Sequence, residues 1–487
     1  MAERKRILCI VYEPGHFLVF LEMVKFGLKS NLFDAILWSP YSLPDSVRYQ
    51  AEALTEGTVY VEESTPVGGL ADIFTRLSGW LSSKPIRLPL DLQAKFAGQE
   101  LPPESGNLRM ATNALVSELT DGERYSIWCQ VDHIRRRISF CEDWLVRLGI
   151  DTVLLAEDNV ERDSYGWIAG AKRRGIRTVV TSYGAISDQE AVNAYKSSSL
   201  HAVNSSQATL IRRHLSQWLT EGDGFAITRL PFTEAIARDL TDTAPFNPWL
   251  VNTGDVDAIA LESTAIKRTY LNYGFQASKL KLIGHPMHDL LFKIERERDE
   301  RRAILFNMYN FDYERPLAVV CMPPDQMATS QGCYCNYRDI IFAFSQLPKK
   351  LAGMNVVVSP HPNISLEGRS LIRAAGAALE EVSASQLIPI ADFCIASVSS
   401  TIKWALACGV PVINFDCYGY GYSEYQCVPQ VIQVSDESNY CTVLNRLSDR
   451  AEQAALKELA KANASQWGVI DGMALSRLAE LCFEEIN

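Results

Sequence analysis

A histidine that directly follows a predicted buried strand has the position and chemistry of a phosphate ligand. Residues 356–358 are all valine, and the chain continues as Ser359-Pro360-His361-Pro362. Proline fixes the backbone beside His361, and histidine can donate a hydrogen bond to a phosphate oxygen as a neutral tautomer or as a cation. The alternative is a histidine that only terminates the strand. We therefore treat His361 and Pro362 as candidate phosphate-binding residues.

Three hydroxyl side chains form a second candidate anion site. The predicted strand Phe393–Ala396 is followed by Ser399, Ser400 and Thr401, where a helical pattern begins. Hydroxyl groups and free backbone amides at the start of a helix bind anions, and the helix dipole adds to the attraction. A helix cap needs only one such side chain. Three of them together favour a phosphate site.

Carboxylates also follow a predicted strand in the first part of the chain. Residues 152–156 are mostly apolar, and Glu157 and Asp158 come directly after them. A carboxylate at the carboxyl edge of a sheet, facing a cleft, can act as a general base. The alternative is a helix cap or a solvated turn, and the sequence does not distinguish Glu157 from Asp158. Asp255, just before another predicted strand, is a further candidate that would serve as nucleophile in a retaining reaction.

Alternating strands and helices position these side chains. The chain begins as a strand at 6–12, a helix at 16–30 and a strand at 33–38, which is typical of a parallel sheet with crossover helices. The later elements predicted in the first part are strands at 152–156, 177–182, 257–261 and 279–283, and helices at 127–148 and 165–174. The second part has predicted strands at 317–322, 355–359, 393–396 and 410–415, followed by a helical segment at 449–487.

Two such series predict an α/β protein of two doubly wound, Rossmann-like domains that face a central cleft. We assign residues 1–290 to the N-terminal domain, with an irregular insertion at about 66–121, and residues 303–487 to the C-terminal domain. The charged stretch 293–302 is the predicted linker, and the last helix is a candidate to cross back to the N-terminal domain. Ligands of such sheets bind beyond the carboxyl ends of the strands, where the candidate residues lie.

The overall composition excludes several classes of protein. The 487 residues are 47% hydrophobic and 22% charged, which suits a folded chain of two domains. A net charge of −11 and a pI near 5.3 argue against a nucleic acid partner. The 12 cysteines indicate reduced thiols rather than a disulfide framework. No signal peptide or membrane span is evident, so we expect a cytoplasmic protein, with peripheral association at the inner membrane left open.

The phosphate-site motifs resemble those of a known superfamily. Ser-Pro-His-Pro-Asn at 359–363, and Ser-Ser-Thr-Ile at 399–402 followed by Ala-x-x-x-Gly-Val-Pro-Val-Ile, are similar to the nucleotide-binding half of GT-B glycosyltransferases. They look most like bacterial surface-polysaccharide enzymes, which include capsule Kdo transferases and polysialyltransferases. In that group a His-Pro motif and a serine motif hold the nucleotide phosphate of a CMP-sugar. The resemblance implies this role for His361, Pro362, Ser399 and Ser400, with Thr401 as a neighbour.

Other GT-B families share parts of the same pattern. CDP-glycerol-type teichoic acid polymerases look similar at both motifs, and so do UDP-GlcNAc 2-epimerases. The epimerases usually carry Ser-Gly-Gly where this chain has Ser-Ser-Thr at 399–401, and this difference favours a transferase. The motifs lie in the last part of the chain, so they indicate the fold more strongly than the donor.

The resemblance also implies donor contacts outside the two motifs. In GT-B enzymes the loop after the first strand of the C-terminal domain commonly faces the donor, which makes Ser330 and Gln331 candidate contacts. An unstructured surface loop is the alternative. Acidic residues near the position of Glu424 commonly hydrogen-bond the ribose, so Glu424 is a third candidate.

Two further candidates in the N-terminal part also come from the resemblance. The stretch 284–289 is similar to a Gly-Asn/His-Pro-x-x-Asp motif near the domain hinge, from which His285 would reach the cleft. Capsule-type transferases carry an acidic residue after a strand comparable to 152–156. That comparison leaves Glu157 and Asp158 both open.

These observations predict a glycosyltransferase of surface-polysaccharide biosynthesis. Its donor would be a nucleotide sugar, first of all a CMP-sugar of Kdo or sialic-acid type, bound by the C-terminal domain. Its acceptor would be a saccharide or a lipid-linked saccharide on the N-terminal domain. Hydrogen-bond donors would stabilise the charge on the leaving phosphate; no Asp-x-Asp motif is evident, so we expect transfer without a metal ion or other cofactor. The alternatives are a UDP-sugar 2-epimerase, a CDP-alditol phosphotransferase and a non-catalytic GT-B-like binding module.

Overall fold

The computed structural model describes residues 4–40, 59–61, 118–181, 188–361, 363–397, 399–421 and 424–484. Pro362 and nearly all of the predicted insertion at 66–121 lie outside these residues. The described strands form two parallel sheets and a small antiparallel hairpin. We call residues up to 296 the N-terminal half and residues from 298 the C-terminal half. The predicted fold class, α/β with two Rossmann-like sheets, is confirmed.

A seven-stranded parallel sheet forms the centre of the N-terminal half. The strands of this half are β1 (Lys5–Ile10), β2 (Phe33–Ser39), β3 (Val59–Val61), β4 (Thr152–Leu155), β5 (Arg177–Val180), β6 (Leu219–Gly222), β7 (Phe225–Thr228), β8 (Ala258–Leu261) and β9 (Leu280–Leu282). The sheet order is β3-β2-β1-β4-β5-β8-β9, and β6 pairs with β7 as a separate hairpin. Strands β4, β5 and β8 are buried along their whole length, as expected for a parallel sheet covered on both faces.

Helices connect these strands and cover the sheet. The helices described in this half are α1 (Pro14–Ser30), α2 (Asp121–Leu148), α3 (Ser164–Arg174), α4 (Asp188–Tyr195), α5 (Ser205–His214), α6 (Phe232–Leu240), α7 (Thr264–Asn272) and α8 (Pro286–Arg296). Helix α2 begins six residues before the predicted start at position 127. The reason is a capping box, in which Thr120 accepts from the backbone of Glu123 and Glu123 accepts from the backbone of Thr120.

A six-stranded parallel sheet forms the centre of the C-terminal half. Its strands are β10 (Leu317–Met322), β11 (Asn355–Pro360), β12 (Ala378–Leu379), β13 (Phe393–Ala396), β14 (Val412–Phe415) and β15 (Val431–Val434). The order is β12-β11-β10-β13-β14-β15. Strands β10, β11, β13 and β14 lie where the sequence pattern predicts them. The two edge strands were missed because they are short and only partly buried.

The charged stretch 293–302, which is the predicted linker, lies in two helices. The helices described in the C-terminal half are α9 (Arg298–Tyr309), α10 (Tyr337–Leu351), α11 (Leu366–Ala374), α12 (Ala384–Leu387), α13 (Thr401–Ala407), α14 (Glu437–Arg446), α15 (Arg450–Asn463) and α16 (Ala474–Cys482). Helix α8 therefore ends, and α9 begins, inside the charged stretch, with Glu297 between them. The many charges there belong to exposed helix surfaces.

The last helix, α16, packs against the N-terminal half. Its apolar side chains share a core with β1 and α1, and the hydroxyl of Thr152 donates to the carbonyl of Cys482 at 2.5 Å. The carboxylate of Asp289 on α8 accepts from the backbone N–H of Ala474 at 2.8 Å and of Leu475 at 3.0 Å. The first turn of α16 is thus capped by a side chain from the other half. Within the described ranges, no helix is both long and apolar enough to span a membrane.

Each parallel sheet has one position at which the order of the strands reverses, so that later strands are added on the opposite side of the first strand. In the N-terminal half, β2 and β3 lie on one side of β1, and β4 and β5 lie on the other. In the C-terminal half, β11 and β12 lie on one side of β10, and β13 and β14 lie on the other. Ligands of doubly wound sheets bind in the crevice at such a switch point. The loops after β1, β4, β10 and β13 are therefore where a site is expected.

Candidate active site

Two carboxylates and an arginine meet beyond the ends of β1 and β4. Arg162, in the loop between β4 and α3, has its Nε 3.4 Å from Oε1 of Glu157 and its Nη2 3.4 Å from Oε2 of Glu13. Glu157 is 7% exposed, whereas the side chain of Glu13 is 42% exposed. One arginine therefore joins a buried carboxylate to one that faces solvent.

The environment of Glu157 suits a general base. Burial and the nearby charge of Glu13 raise the pKa of Glu157 to about 7, although Arg162 opposes the shift. A carboxyl group with this pKa is partly ionised at neutral pH and is a stronger base than an ordinary carboxylate. Perturbed carboxyl groups at the switch point of a sheet are also typical of functional sites.

A buried histidine completes this cluster. Nδ1 of His16, on α1, lies 3.4 Å from the backbone nitrogen of Tyr12 and accepts its hydrogen bond. Nε2 lies 3.4 Å from Oε1 of Glu13. Burial, followed by the charge of Arg162, lowers the pKa of His16 to about 3, so the ring is neutral at pH 7. Glu13, His16 and Arg162 were not among the predicted residues, although Glu13 directly follows the first predicted strand (6–12) and His16 begins the first predicted helix (16–30).

Asp158 holds a neighbouring loop in place. Its Oδ1 accepts from the backbone N–H of Thr253 at 2.6 Å, and its Oδ2 accepts from the hydroxyl of Thr253 at 3.0 Å. The backbone N–H groups of Gly254 and Asp255 also donate to Oδ2, at 3.1 and 3.3 Å. Burial raises the pKa of Asp158 to about 6, although the hydrogen bonds from Thr253 oppose the shift. These bonds occupy both oxygens, which leaves Glu157 as the better placed of the two candidate bases.

Asp255 lies beside Asp158 but apart from the Arg162 cluster. Burial raises the pKa of Asp255, and the charges of Lys172, Lys279 and Arg238 oppose the shift. In the described part of the chain, no hydrogen bond or ion pair joins Asp255 to Glu157. Asp255 therefore lies in the loop that Asp158 holds, and not in the hydrogen-bonded cluster of Glu157 and Arg162.

His361 is held as a hydrogen-bond donor beyond the end of β11. Its Nδ1 accepts from the backbone N–H of Asn363 at 3.2 Å, so a neutral ring carries its proton on Nε2. Burial lowers the pKa of His361, which favours this neutral form. No described residue hydrogen-bonds Nε2, and the Nε2–H group is thus available to an acceptor such as a phosphate oxygen.

The three hydroxyl residues at the start of α13 have different roles. Oγ of Ser399 accepts from the backbone N–H of Thr401 at 3.3 Å and from its hydroxyl at 2.9 Å. Ser400 is the N-cap residue of α13, but its side chain makes no capping hydrogen bond. The cap interaction is therefore made by Ser399, and the hydroxyl of Ser400 is not needed for the helix.

The loop after β10 is closely packed against the loop after β14. The backbone N–H of Gln331 donates to the carbonyl of Tyr418 at 2.8 Å, and Oγ of Ser330 accepts from the backbone N–H of Gly332 at 3.2 Å. A Cβ atom on Gly332 would lie 2.0 Å from the carbonyl oxygen of Cys417, so only glycine permits this approach. The hydroxyl of Ser330 is used within the loop, while the side chain of Gln331 is exposed.

A buried ion pair connects the carboxyl edges of the two sheets. Nζ of Lys403, on α13, is 2.8 Å from Oε1 of Glu262, and the two side chains are 3% and 2% exposed. Burial alone would lower the pKa of Lys403, but the charges of Glu262 and Glu424 raise it above its usual value. Glu262 directly follows β8, and Lys403 lies three residues after Ser400, on the same side of the helix. The side of α13 that carries Ser400 therefore faces the N-terminal half.

The predicted residue Glu424 lies near this ion pair. The ion pair itself was not predicted from the sequence. Glu424 is half-buried and close enough to Lys403 to affect its pKa. Glu262 ends an apolar strand in the same way as Glu157 does, and applying the same reasoning to Ala258–Leu261 would have identified it. Lys403 gave no such signal because it lies inside a short helix.

His285 caps a helix close to the same ion pair. Its Nδ1 accepts from the backbone N–H of Met287 at 3.1 Å, and Nδ1 of His288 accepts from the backbone N–H of His285 at 3.3 Å. Burial and the charge of Lys403 lower the pKa of His285 to about 3. Burial, followed by His285, lowers the pKa of His288 to about 4. Both rings are thus neutral, and the structure places His285 between the halves, with one nitrogen used for capping.

Comparison with known proteins identifies the fold. No family model matches the chain, and no match was found among curated proteins. The UDP-GlcNAc 2-epimerase of Neisseria meningitidis, solved with UDP-GlcNAc bound, is 14% identical, with 98% of this chain and 99% of that chain covered and a TM-score of 0.50. A Listeria monocytogenes protein assigned as a UDP-N-acetylglucosamine 2-epimerase is 12% identical, with coverages of 98% and 95% and a TM-score of 0.50.

These similarities define the class of fold. At this identity they concern the fold alone, and they cover nearly the whole of this chain. Together with the two doubly wound parallel sheets, they show that the chain has the GT-B fold. Among the described residues, no group of three or more histidine, cysteine or acidic side chains is arranged to hold a metal ion.

Proposed function

We propose that the chain is a GT-B glycosyltransferase that transfers a sugar from a nucleotide donor to a saccharide acceptor. The domain division at about 290–303 is part of this proposal, with the acceptor on the N-terminal side. The observation that supports this proposal most directly is the arrangement of polar groups at the carboxyl edges of the two parallel sheets. Hydrogen-bond donors lie at one edge and a carboxyl group with a pKa of about 7 lies at the other. The Lys403–Glu262 ion pair joins the two edges.

The phosphate site of the proposal consists of His361 and Ser400, with Ser399 and Thr401 beside them. His361 offers Nε2–H to a phosphate oxygen, because its Nδ1 is already used as an acceptor. Ser400 offers a hydroxyl that the helix cap does not use. Donors fixed in place before the reaction stabilise the negative charge that develops on the leaving phosphate. We also propose that the transfer is independent of a metal ion.

Glu157 is the proposed base. In the reaction an acceptor hydroxyl loses its proton to Glu157 as its oxygen attacks the anomeric carbon, and the bond to the leaving phosphate breaks. The raised pKa makes Glu157 a suitable proton acceptor near neutral pH. Arg162 would limit this shift and orient the carboxylate. Asp158, with both oxygens occupied, would support the loop behind it.

The proposal also specifies the class of nucleotide sugar that serves as the donor. We propose a CMP-sugar of Kdo or sialic-acid type, used in surface-polysaccharide assembly, because the Ser-Pro-His-Pro and Ser-Ser-Thr motifs are most like those of CMP-sugar enzymes. A UDP-sugar 2-epimerase is the second candidate. It is favoured by the TM-score of 0.50 to the N. meningitidis enzyme, over 98% of this chain. The two candidates differ in the nucleotide and in the need for an acceptor.

A thermal-shift screen with CMP, CDP, UDP and GDP tests the phosphate site. A ligand that binds only the folded protein stabilises it by about 2.7 kcal/mol at about 100 times its Kd. We expect CMP to raise the melting temperature most, and His361→Ala and Ser400→Ala to lose the shift. Ser438→Ala is the matched control, because Ser438 is an exposed serine in the first turn of α14.

The same screen separates the candidates. A selective shift with UDP would replace the CMP-sugar proposal with the epimerase or a UDP-sugar transferase. A shift that persists unchanged in both His361→Ala and Ser400→Ala would place the nucleotide elsewhere. No shift with any nucleotide would contradict the transferase proposal and favour a binding module.

A further inference from the structure

The carboxylate of Glu13 is fixed beside the proposed base although it faces solvent. Glu13 lies between β1 and α1, and its backbone is extended, with φ of −152° and ψ of 161°. A residue that precedes proline, as Glu13 precedes Pro14, is restricted to such conformations. Glu13 is the N-cap residue of α1, but its side chain makes no capping hydrogen bond. The carboxylate is therefore not needed to start the helix.

Two neighbouring side chains hold the Glu13 carboxylate. On one side, Nε2 of His16 lies 3.4 Å from Oε1 of Glu13. His16 is fully buried, and its Nδ1 accepts from the backbone N–H of Tyr12, so the neutral ring carries its proton on Nε2. On the other side, Nη2 of Arg162 lies 3.4 Å from Oε2. Fixing a long exposed side chain costs conformational entropy, and here each carboxylate oxygen faces a donor that offsets this cost.

The guanidinium group of Arg162 is shared between two carboxylates. Its Nε faces Glu157 and its Nη2 faces Glu13, both at 3.4 Å. Hydrogen bonds between arginine and a carboxylate are typically about 2.7–2.9 Å long, so both contacts are longer than those of an arginine with one partner. Without Glu13, Arg162 would be free to move closer to Glu157 and to stabilise its ionised form more strongly.

The charged groups around Glu157 come from two loops. Burial is the largest cause of the raised pKa of Glu157, and the charge of Glu13 is the next. Arg162 opposes the shift, and Asp158 adds to it. The oxygens of Asp158 are already occupied by the loop that contains Thr253. Glu13 therefore acts on Glu157 in two ways, through its own charge and through its contact with Arg162, and both favour the protonated carboxyl group.

We propose that Glu13 is a positioning residue for the base, which holds Arg162 between the two carboxylates and so keeps Glu157 able to accept a proton at neutral pH. The inference rests on the proposed transferase function and assigns a role in it to Glu13, with His16 as its support. Glu13 itself takes no proton from the acceptor. Its effect depends on charge, so a substitution that keeps the size of the side chain and removes the charge tests it.

The first test is the pH dependence of sugar transfer. Glu13→Gln removes the charge and frees Arg162 for Glu157, so we expect the midpoint of the rise in rate to move from about 7 to a pH lower by about one unit. Glu13→Asp keeps the charge and should restore most of the midpoint. Arg162→Met removes the opposing cation and should move the midpoint to higher pH. Structural damage alone would lower the rate without moving the midpoint in these two opposite directions.

Glu22→Gln is the matched control for the loss of charge. Glu22 lies on the same helix, α1, and its carboxylate pairs with Nζ of Lys25 at 2.7 Å. We expect this variant to keep both the rate and the midpoint of the unmodified chain. A midpoint in Glu13→Gln equal to that of Glu22→Gln would overturn the inference.

Protein stability gives a second readout that does not require sugar transfer. The difference in free energy of unfolding between the unmodified chain and Glu157→Gln follows the ionisation of Glu157, and it should stop growing at about pH 7. With Glu13→Gln present in both proteins, the difference should stop growing at a lower pH. The same pH in both backgrounds would overturn the inference. The expected shift without any sugar transfer would support the action of Glu13 on Glu157 and contradict the transferase.

Discussion

Glu157 and Asp158 are adjacent in the chain but have different environments. Asp158 accepts four hydrogen bonds from one loop. Among the described residues, Glu157 is paired with Arg162 alone, at 3.4 Å. Burial raises the pKa of both carboxyl groups, to about 7 for Glu157 and about 6 for Asp158. Two carboxyl groups whose surroundings differ in this way commonly take different roles. The predictions at residue scale follow from this difference.

Glu157→Gln should remove the proton acceptor and leave donor binding unchanged. We expect the turnover number to fall by about 10²–10⁴, with the same nucleotide-induced thermal shift as the unmodified chain. Because the base acts when ionised, the rate of the unmodified enzyme should rise with pH through about 7 and then level off. Initial rates between pH 5 and 9 measure this. A variant with full activity would exclude Glu157 as the base.

The same substitution should alter the pH dependence of stability. The pKa of Glu157 is raised from 4.5 to about 7 in the folded protein, so the folded state favours the protonated carboxyl group. The ionised group therefore destabilises the fold progressively between these values, and fully above the higher one. Relative to the unmodified chain, Glu157→Gln should gain free energy of unfolding as pH rises from 4.5 to 7. Urea denaturation of both proteins at several pH values measures this difference. If the difference in the free energy of unfolding does not change with pH, Glu157 is not buried as described.

Asp158→Asn should mainly affect stability. Its Nδ2 group would face backbone N–H donors that now bind a carboxylate oxygen, leaving donors unpaired. We expect a loss of about 1–3 kcal/mol in the free energy of unfolding, while the pH midpoint of the rate stays near that of the unmodified enzyme. Denaturant melts and a pH–rate profile measure both quantities. Unchanged stability with abolished turnover would instead make Asp158 the base.

At the scale of elements, helix α13 and strand β8 are joined by the Lys403–Glu262 ion pair. Removing one partner of a buried ion pair leaves an uncompensated charge and typically costs about 3–5 kcal/mol. We expect Lys403→Met to destabilise the chain by about this amount, and the double substitution Lys403→Met with Glu262→Leu to recover much of the loss. Chemical denaturation of the single and double variants measures the coupling. Purely additive effects would show that the two side chains do not interact.

The sequence predicted these elements better than it predicted their contacts. Strands β10 and β13 lie at the predicted positions because continuous apolar runs bounded by polar residues are a local signal. The approach of Arg162 to Glu13 joins residues 149 positions apart, and it depends on β1 being the neighbour of β4. The chain before β4 contains no local signal for that pairing. The capping box at Thr120, by contrast, was readable in the sequence and was overlooked.

The charged stretch at 293–302 shows a different limit of sequence patterns. Alternating charges are typical both of linkers and of solvent-exposed helices. Here they cover the exposed sides of α8 and α9, while Leu291, Ile294 and Leu305 face the core. The spacing of the apolar residues across this stretch is helical. We gave the many charges more weight than this spacing and therefore predicted a linker.

At the scale of the whole molecule, the two halves are held together in at least two places. The Lys403–Glu262 ion pair joins the carboxyl edges of the sheets, and α16 of the C-terminal half packs against β1 and α1. The proposed phosphate site and the proposed base thus belong to different sheets of one connected structure. The GT-B fold itself is shared by transferases and epimerases, so the fold does not choose between them.

The most direct test of the account is a product analysis with a nucleotide-sugar donor. CMP-Kdo and CMP-sialic acid would be incubated with the chain and a set of oligosaccharide acceptors, without added metal ion, and the products followed by mass spectrometry. The account predicts an acceptor heavier by one sugar residue and an equal amount of CMP, both lost in His361→Ala and Glu157→Gln. Conversion of UDP-GlcNAc to another sugar without any acceptor, and no product from either CMP-sugar, would contradict it.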